Sequence, residues 1–475
     1  MQYKHGIYTE SVAARGDLQA RAVGTIPVYI GTAPIHLTDS LESKVNTPIL
    51  INSYNDFVSK MGYSENWGAF TLCEVAYAHF KNNIQAIAPF VVINMLDVST
   101  HRASAATTET VAFSNKVGYI LNPNNDIIAS TIKGVTGVSN FEIEHTTDNR
   151  IKLTYTGTAE SFTSDTISYN KVDTSKVGSE DFAKALAAID TTNIKCGVTP
   201  NIIVAPAFSD KFTKELIAKC EERISGKYGC VAYLDMPTDT VKTIAQAKSY
   251  KTTNSIISKY ARPHFPMSKW NGRIFHLSVL DAITSQIVDR ESDGVACRSS
   301  SNKKIICDVP VLADGTEIIY SEREANELNE VGITTINYIG GAFRLWGGHM
   351  ANYNYANIAN IEANDRSDAT IRMQIFLDNW LLTEHIENID APLTRRDIDN
   401  IVSNVNIGLN SFVNSGYLLK GVCYFDGGSN STSELADGNL MLDVLGTEVP
   451  NGKAIIFRRS YDVSGLQNLY ETEEV

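Results

Sequence analysis

The side chains best suited to chemistry are scattered through this 475-residue chain. Seven cysteines, at positions 73, 196, 220, 230, 297, 307 and 423, include no C-x-x-C pair. A structural zinc site draws paired ligands from short turns, so this spacing speaks against one. An odd number at low density fits reduced, mostly buried thiols. The nine histidines lack metal-ligand spacing, and His264 and His276 read as packed or surface residues. The chain contains no G-x-x-x-x-G-K-[ST], G-x-G-x-x-G or H-E-x-x-H, and no G-x-S-x-G elbow follows a strand. Of the Gly pairs at 340–341, 347–348 and 427–428, only the first lies just after an apolar run (333–339), no capped helix follows it as a phosphate loop requires, and all three read as tight turns. Asp235 closes a strand where α/β folds place ligands, but it also starts a turn before Pro237. No catalytic, cofactor-binding or metal-binding residue is assigned, and no cofactor is expected.

Composition narrows the classes further. Lys and Arg number 41 against 54 Asp and Glu, a net charge of −13. So acidic a chain is poorly suited to nucleic acid or an anionic membrane surface. No apolar run approaches the ~20 residues of a membrane helix; Ala86–Met95 is broken by Pro89 and Asn94. The first residues, MQYKHGIYTE, lack an apolar core of signal-peptide length, so synthesis in the cytoplasm is expected.

The elements follow from periodicity. Residues 1–22 are polar and extended in character, with Tyr3, Ile7, Tyr8 and Val12 as isolated apolar positions and Gly6 and Gly16 against a helix. IPVYIGTAPI (26–35) and QAIAPFVVINML (85–96) are near-continuous apolar runs, the mark of strands buried on both faces, and 68–81 between them is helical. From about 99 to 195 Thr, Ser and Asn dominate; FEIEH and IKLTY flank the turn TTDNR as a hairpin. Then strands and helices alternate: NIIVAP (201–206), a helix capped by Ser209 or Asp210, CVAYLD (230–235), a helix over 241–250, SIISKYA (255–261) and a helix over 278–290. Such alternation implies parallel strands joined by right-handed crossovers. Two long helices follow, over 371–389 and 395–414, with Thr394 as N-cap of the second; strands over 416–426 and 440–446 come next.

The fold class is therefore a multidomain chain of α/β and α+β type: an N-terminal extended arm (1–22), a mainly parallel α/β domain (23–98 and 196–345), an inserted β-rich domain (99–195), a C-terminal α+β domain (346–452) and a C-terminal arm (453–475). The last arm raises a specific question. In NGKAIIFRRSYDVSG (451–465), Ile455, Phe457, Tyr461 and Val463 fall on one face with Arg459 interrupting. That is the alternation of a half-buried strand. An unpaired apolar strand is a template for another chain. Gly16, Asn451 and Gly452 are hinge candidates beside the two arms.

Several segments, in order, resemble contractile phage tail sheath proteins. HGIYTESV and IPVYIGTAPI resemble that family's start. NIIVAPAFSD, SKYARPHFP, DAITSQIVDRESDG and SSSNKKI resemble its middle domain. FRLWGG, RMQIFLDNW, APLTRRDIDNI and the final NGKAIIFRRSYDVSGLQNLYE resemble its carboxyl-terminal domain. The middle domain of that family is sometimes described as subtilisin-like, but nothing here resembles the protease's serine motif, so no protease activity is implied. The resemblance implies a structural subunit that polymerises as stacked six-membered rings around a tail tube, with baseplate and tail terminator proteins as further partners. Neither nucleic acid nor direct membrane insertion is implied. It implies that the N-terminal arm (Tyr3, Ile7, Tyr8, Val12) and the C-terminal arm (Ile455, Phe457, Arg459, Tyr461, Val463) reach into neighbouring copies and complete a sheet in their C-terminal domains. Localisation would be the virion tail, assembled in a bacterial cytoplasm, and the task genome ejection into the host. A bacteriocin or other contractile injection system is a close variant. An α/β hydrolase, or a surface-binding module using residues 100–195, is the reading from another class.

Overall fold

The computed structural model describes residues 24–38, 44–135, 140–146, 148–159 and 162–469. Tyr3, Ile7, Tyr8, Val12 and Gly16 lie outside them. The first elements are β1 (Pro27–Gly31), β2 (Pro48–Ile51), α1 (Tyr54–Met61), α2 (Thr71–Phe80) and β3 (Phe90–Asn94). An all-β excursion follows: β4 (Thr107–Ala112), β5 (Val117–Leu121), β6 (Lys133–Gly134), β7 (Phe141–His145), β8 (Arg150–Tyr155) and β9 (Ser164–Tyr169). The chain returns through α3 (Ser179–Ala188) and α4 (Thr192–Cys196) to β10 (Ile202–Val204), α5 (Thr213–Glu222), β11 (Val231–Asp235), α6 (Ile244–Thr253) and β12 (Ala261–His264). Next are β13 (Met267–Trp270), β14 (Arg273–Phe275), α7 (Leu277–Arg290), β15 (Val309–Val311), α8 (Glu322–Asn329), β16 (Thr335–Ile339) and β17 (Ala342–Trp346). The last are α9 (Asp368–Glu384), α10 (Arg395–Asn414), β18 (Leu418–Tyr424), α11 (Thr432–Ala436) and β19 (Asp443–Glu448).

The two separated α/β segments build one sheet, in the order β12-β11-β10-β1-β3-β2. All neighbours are parallel except β2, which pairs antiparallel with β3. Alternate residues of each strand enter different cores, as the period of two requires. Tyr29, Val92, Val204 and Tyr233 pack with α2 and α7 on one face, through Leu72, Val75, Leu280 and Ile283. Val28, Ile30, Val91, Ile93 and Ile203 pack on the other with Phe182 of α3 and Leu216 and Cys220 of α5. Because both faces are covered, the strands read as unbroken apolar runs.

Three details differ from the sequence reading. Helix α3, placed within 99–195 by composition, inserts Phe182 and Ala185 into the α/β core, so its amphipathic face belongs to that layer. The third strand of the second half is Ala261–His264 and not 255–261. Ser255 takes a left-handed φ of +53° as α6 ends, and the chain turns before pairing. That strand escaped periodicity because two of its four residues, Arg262 and His264, are polar yet buried. Finally, neither Ser209 nor Asp210 caps α5; Phe212 holds the N-cap position, while the Ser209 hydroxyl accepts the Asp235 N–H at 2.9 Å.

The excursion between β3 and α3 forms two three-stranded sheets, β4-β9-β6 and β5-β8-β7, around Val111, Phe113, Ile120, Ile151, Leu153 and Ile167. The hairpin of β7 and β8 is antiparallel with Phe141 opposite Tyr155. At its root the Ala103 N–H donates to Lys171 O and the Asp173 N–H to His101 O. Gly340 and Gly341 join β16 to β17 with φ of +59° and +77°, the left-handed pair a two-residue hairpin turn requires.

Candidate functional site

Chemistry-bearing side chains do converge, but inside the body. Arg262 lies fully buried on β12. Its guanidinium meets Asp281 at 3.1 Å and Asp368 at 2.8 Å, and donates to Thr334 Oγ1, Ser300 Oγ and Gly347 O. His264 Nε2 lies 2.7 Å from Asp281 Oδ2, and Ser300 Oγ donates to Asp281 Oδ1 at 2.5 Å. A serine, a histidine and an aspartate thus sit together, but their connections are not those of a nucleophile and its base. Ser300 donates to the carboxylate, and the three side chains are sealed from solvent. Burial would push the Asp281 carboxyl up, but Arg262 and His264, with the Ser300 hydrogen bond, outweigh it and hold the pKa at about 2. A second buried pair, Arg372 with Asp289, is joined by Thr25. Asp368 and Arg372 belong to α9, and Asp281 and Asp289 to α7. The network therefore fastens the start of α9 to the α/β body, aided by reciprocal hydrogen bonds between the Asn379 amide and Gly229.

A crevice of about 680 Å³ opens at the carboxyl ends of β10 and β11, where such folds bind ligands. Several of its charged groups are already engaged. Asp235 accepts from the Ser278 N–H and hydroxyl, closing the first turn of α7. His276 Nδ1 lies 2.8 Å from Glu74 Oε2. Burial works against the imidazolium, but Glu74 and the nearby Asp235 and Asp210 raise its pKa to about 9. Among the described residues no group of three or more His, Cys, Asp or Glu is arranged to hold a metal ion. None of their helices is long and apolar enough to cross a membrane.

The remaining candidate is the C-terminal unit. Thr394 caps α10 in a reciprocal box with Asp397, as the sequence indicates. Leu377 on α9, Val405 and Leu409 on α10, and Leu418 and Cys423 on β18 share a core. Gly408 lets α10 approach α9: a Cβ there would lie 2.3 Å from the Trp380 ring. β18 and β19 form a two-stranded antiparallel sheet, with Val422 opposite Leu445 and Cys423 opposite Val444. One face packs on α10, where Gly421 lies against Leu409.

Beyond β19 the chain behaves unlike its sequence pattern. Ile455–Val463 is not a strand here; no other described strand pairs with it. Ile455, Phe457, Tyr461 and Val463 are 77%, 91%, 74% and 64% exposed, and Arg459 is exposed as well. Alternation predicts a strand only where a partner supplies backbone hydrogen bonds, and the described residues supply none. The root of the segment is held. Asn451 Nδ2 donates to Ser367 Oγ at 2.7 Å and lies 3.4 Å from Asp368 Oδ1. Lys453 Nζ donates to Tyr353 OH at 2.7 Å and sits over the rings of Tyr353 and Tyr355. Of the hinge candidates in the sequence, Asn451 is thus itself an anchor, and Gly452 lies between it and Lys453. The sequence missed these anchors because each joins residues some 80 to 100 positions apart.

The described residues thus leave the C-terminal two-stranded sheet small and an apolar segment beyond it exposed. No family model matches the sequence. The tail sheath protein of Escherichia phage P2 is 28% identical over 156 residues, 31% of this chain and 35% of the relative. The major tail sheath protein of Serratia phage KSP20 is 25% identical over 303 residues, 59% of this chain and 65% of the relative. The matches thus span about a third and just under two thirds of those relatives' lengths. Among solved structures, the contracted sheath of the extracellular contractile injection system PVC covers 98% of this chain and 99% of its own, with a TM-score of 0.58 at 13% identity. The contracted sheath of the anti-feeding prophage covers 97% and 100%, with a TM-score of 0.58 at 11% identity. A chain of the anti-feeding prophage baseplate covers 98% and 100%, again at 0.58, with 12% identity. In sequence and in fold the chain is similar to contractile tail sheath proteins.

Proposed function

We propose that this protein is the sheath subunit of a contractile tail. Copies stack as six-membered rings around a tail tube, between a baseplate and a terminator, and contraction drives the tube through the target envelope. The residues at 1–22 and 453–475 act as arms that add strands to the C-terminal sheets of neighbouring copies, a mode in which backbone hydrogen bonds hold and alternate side chains select. The observation that carries this reading is the segment Ile455–Val463: apolar on alternate positions, exposed, and unpaired with any described strand. Both curated relatives are phage proteins, which favours a virion tail over a bacteriocin. Contraction needs no bound nucleotide if the extended array is trapped behind a kinetic barrier and the contracted array has better contacts between bodies. The acidic charge of −13 keeps subunits apart until a baseplate nucleates assembly.

The test is electron microscopy of the purified protein, alone and with a tube protein, beside a variant lacking residues 454–475. Tubes or helical polymers are expected from the full chain and none from the variant. Normal polymers from the shortened chain would refute the strand-exchange account. The β-rich excursion that carries β4 to β9 is proposed as a peripheral decoration, so its removal with α3 retained leaves assembly intact.

A further inference from the structure

We infer that Asn451 is a site of spontaneous deamidation, and that its conversion releases the root of the C-terminal segment from the body. The inference concerns the lone subunit and stands apart from strand exchange.

An asparagine side chain is attacked most readily when glycine follows, because no side chain then shields the next backbone nitrogen. The chain holds two Asn-Gly dipeptides, Asn271–Gly272 and Asn451–Gly452. The fold treats them differently. Asn271 and Gly272 form the tip of the β13–β14 hairpin with φ of +49° and +73°, and Trp270 pairs with Arg273 across it. The Asn271 N–H also donates to Asp308 Oδ2 at 2.8 Å. Closing a ring there would twist the Asn271–Gly272 peptide out of the turn. Asn451 and Gly452 are exposed and belong to no helix or strand. The Gly452 N–H has no acceptor among the described residues.

In the reaction the Gly452 nitrogen gives its proton to a solvent base and bonds to Asn451 Cγ. The Cγ–Nδ2 bond breaks, and Nδ2 takes up a proton and leaves as ammonia. Ser367 Oγ, 2.7 Å from Nδ2, is placed to supply that proton. Water then opens the succinimide at one of its two carbonyls, giving aspartate or isoaspartate. An amide and a water thus become an acid and an ammonia, with no change of oxidation state.

The consequence follows from what this amide holds. Its N–H groups face Ser367 Oγ and, at 3.4 Å, Asp368 Oδ1. A carboxylate in their place sets like charges against each other. Arg262 is already shared between Asp281 and Asp368, so it cannot balance a third. Isoaspartate reroutes the main chain through Cγ and removes the donor as well. Either product leaves Lys453 on Tyr353 as the remaining tie at the root.

The experiment ages the full chain at mildly alkaline pH and follows both Asn-Gly peptides by mass spectrometry, beside Gly452→Ala and Asn451→Asp. Alanine fits at 452, where nothing lies within 4 Å of an added Cβ. Acid is expected at 451 in wild type while 271 stays an amide, and Gly452→Ala is expected to keep its amide. Limited tryptic cleavage reads the anchor, because the Lys453 side chain must leave Tyr353 to enter the protease. Cleavage after Lys453, relative to that after the exposed Arg459, is expected to rise on ageing and in fresh Asn451→Asp. Intact Asn451 in aged wild type, or conversion of Asn271 as fast as of Asn451, would overturn the site. Equal relative cleavage in Asn451→Asp and fresh wild type would overturn the release.

Discussion

Exchanging Ile455 and Phe457 for serine separates the stability of the subunit from that of the polymer. In the single chain these side chains are 77% and 91% exposed, so they contribute almost nothing to its folding. Substitutions at such positions change stability by about 0.5 kcal/mol or less. In a shared sheet the same two side chains would be buried, and each buried apolar side chain of this size contributes about 1.5–3 kcal/mol. The double variant should therefore lose roughly 3–6 kcal/mol per link, less whatever ordering cost it no longer incurs. At ~1.4 kcal/mol per decade, that raises the critical concentration by about two to four orders of magnitude. Thermal melting of dilute protein reads the first quantity, and sedimentation with electron microscopy across a concentration series reads the second. A melting point lowered by several degrees with unchanged assembly would refute the reasoning, since it would place these residues in the subunit's own core.

Four further outcomes concern the body. Gly408→Ala would press a methyl group against Trp380 and should cost about 1–3 kcal/mol in a denaturant titration, with α9 and α10 forced apart. Thr394→Ala removes the box that closes α10 and should cost about 1 kcal/mol, read as a lower melting temperature. Two ion pairs, Arg262 with Asp281 and His276 with Glu74, set opposite pH limits. Asp281, held at about 2, contributes stability above the ordinary Asp range that disappears as pH falls through 2, and Asp281→Asn should cost ~1.5–3 kcal/mol at neutral pH by removing one of the two carboxylates that pair with Arg262. His276, raised to about 9, contributes stability fully present below its ordinary pKa of 6.5 and lost as pH rises through 9, so the urea midpoint should fall over that interval and not do so in His276→Asn.

Much of this architecture was written locally. The helix over Arg395–Asn414 was legible to the residue, because its cap, its acidic partner three positions on and its apolar stripe all lie within the segment itself. Also legible were the hairpin of β7 and β8 and the parallel pairing of the central strands, though not their order. Arg262 and His264 hid β12, since nothing near them in sequence announces that Asp281 and Asp368 will neutralise and bond them. Phe182 looked like part of an insertion because composition averages over a window and cannot see which core an amphipathic face enters. Neither could any local pattern reveal that Asn406 would reach across to Cys423, or that Asn451 and Lys453 would tie the last segment to the body. Periodicity by itself determined that residues 455–463 can form a strand; tertiary structure decided that no described residue of this chain lies alongside them as a partner, because a strand exists only where another backbone receives its hydrogen bonds.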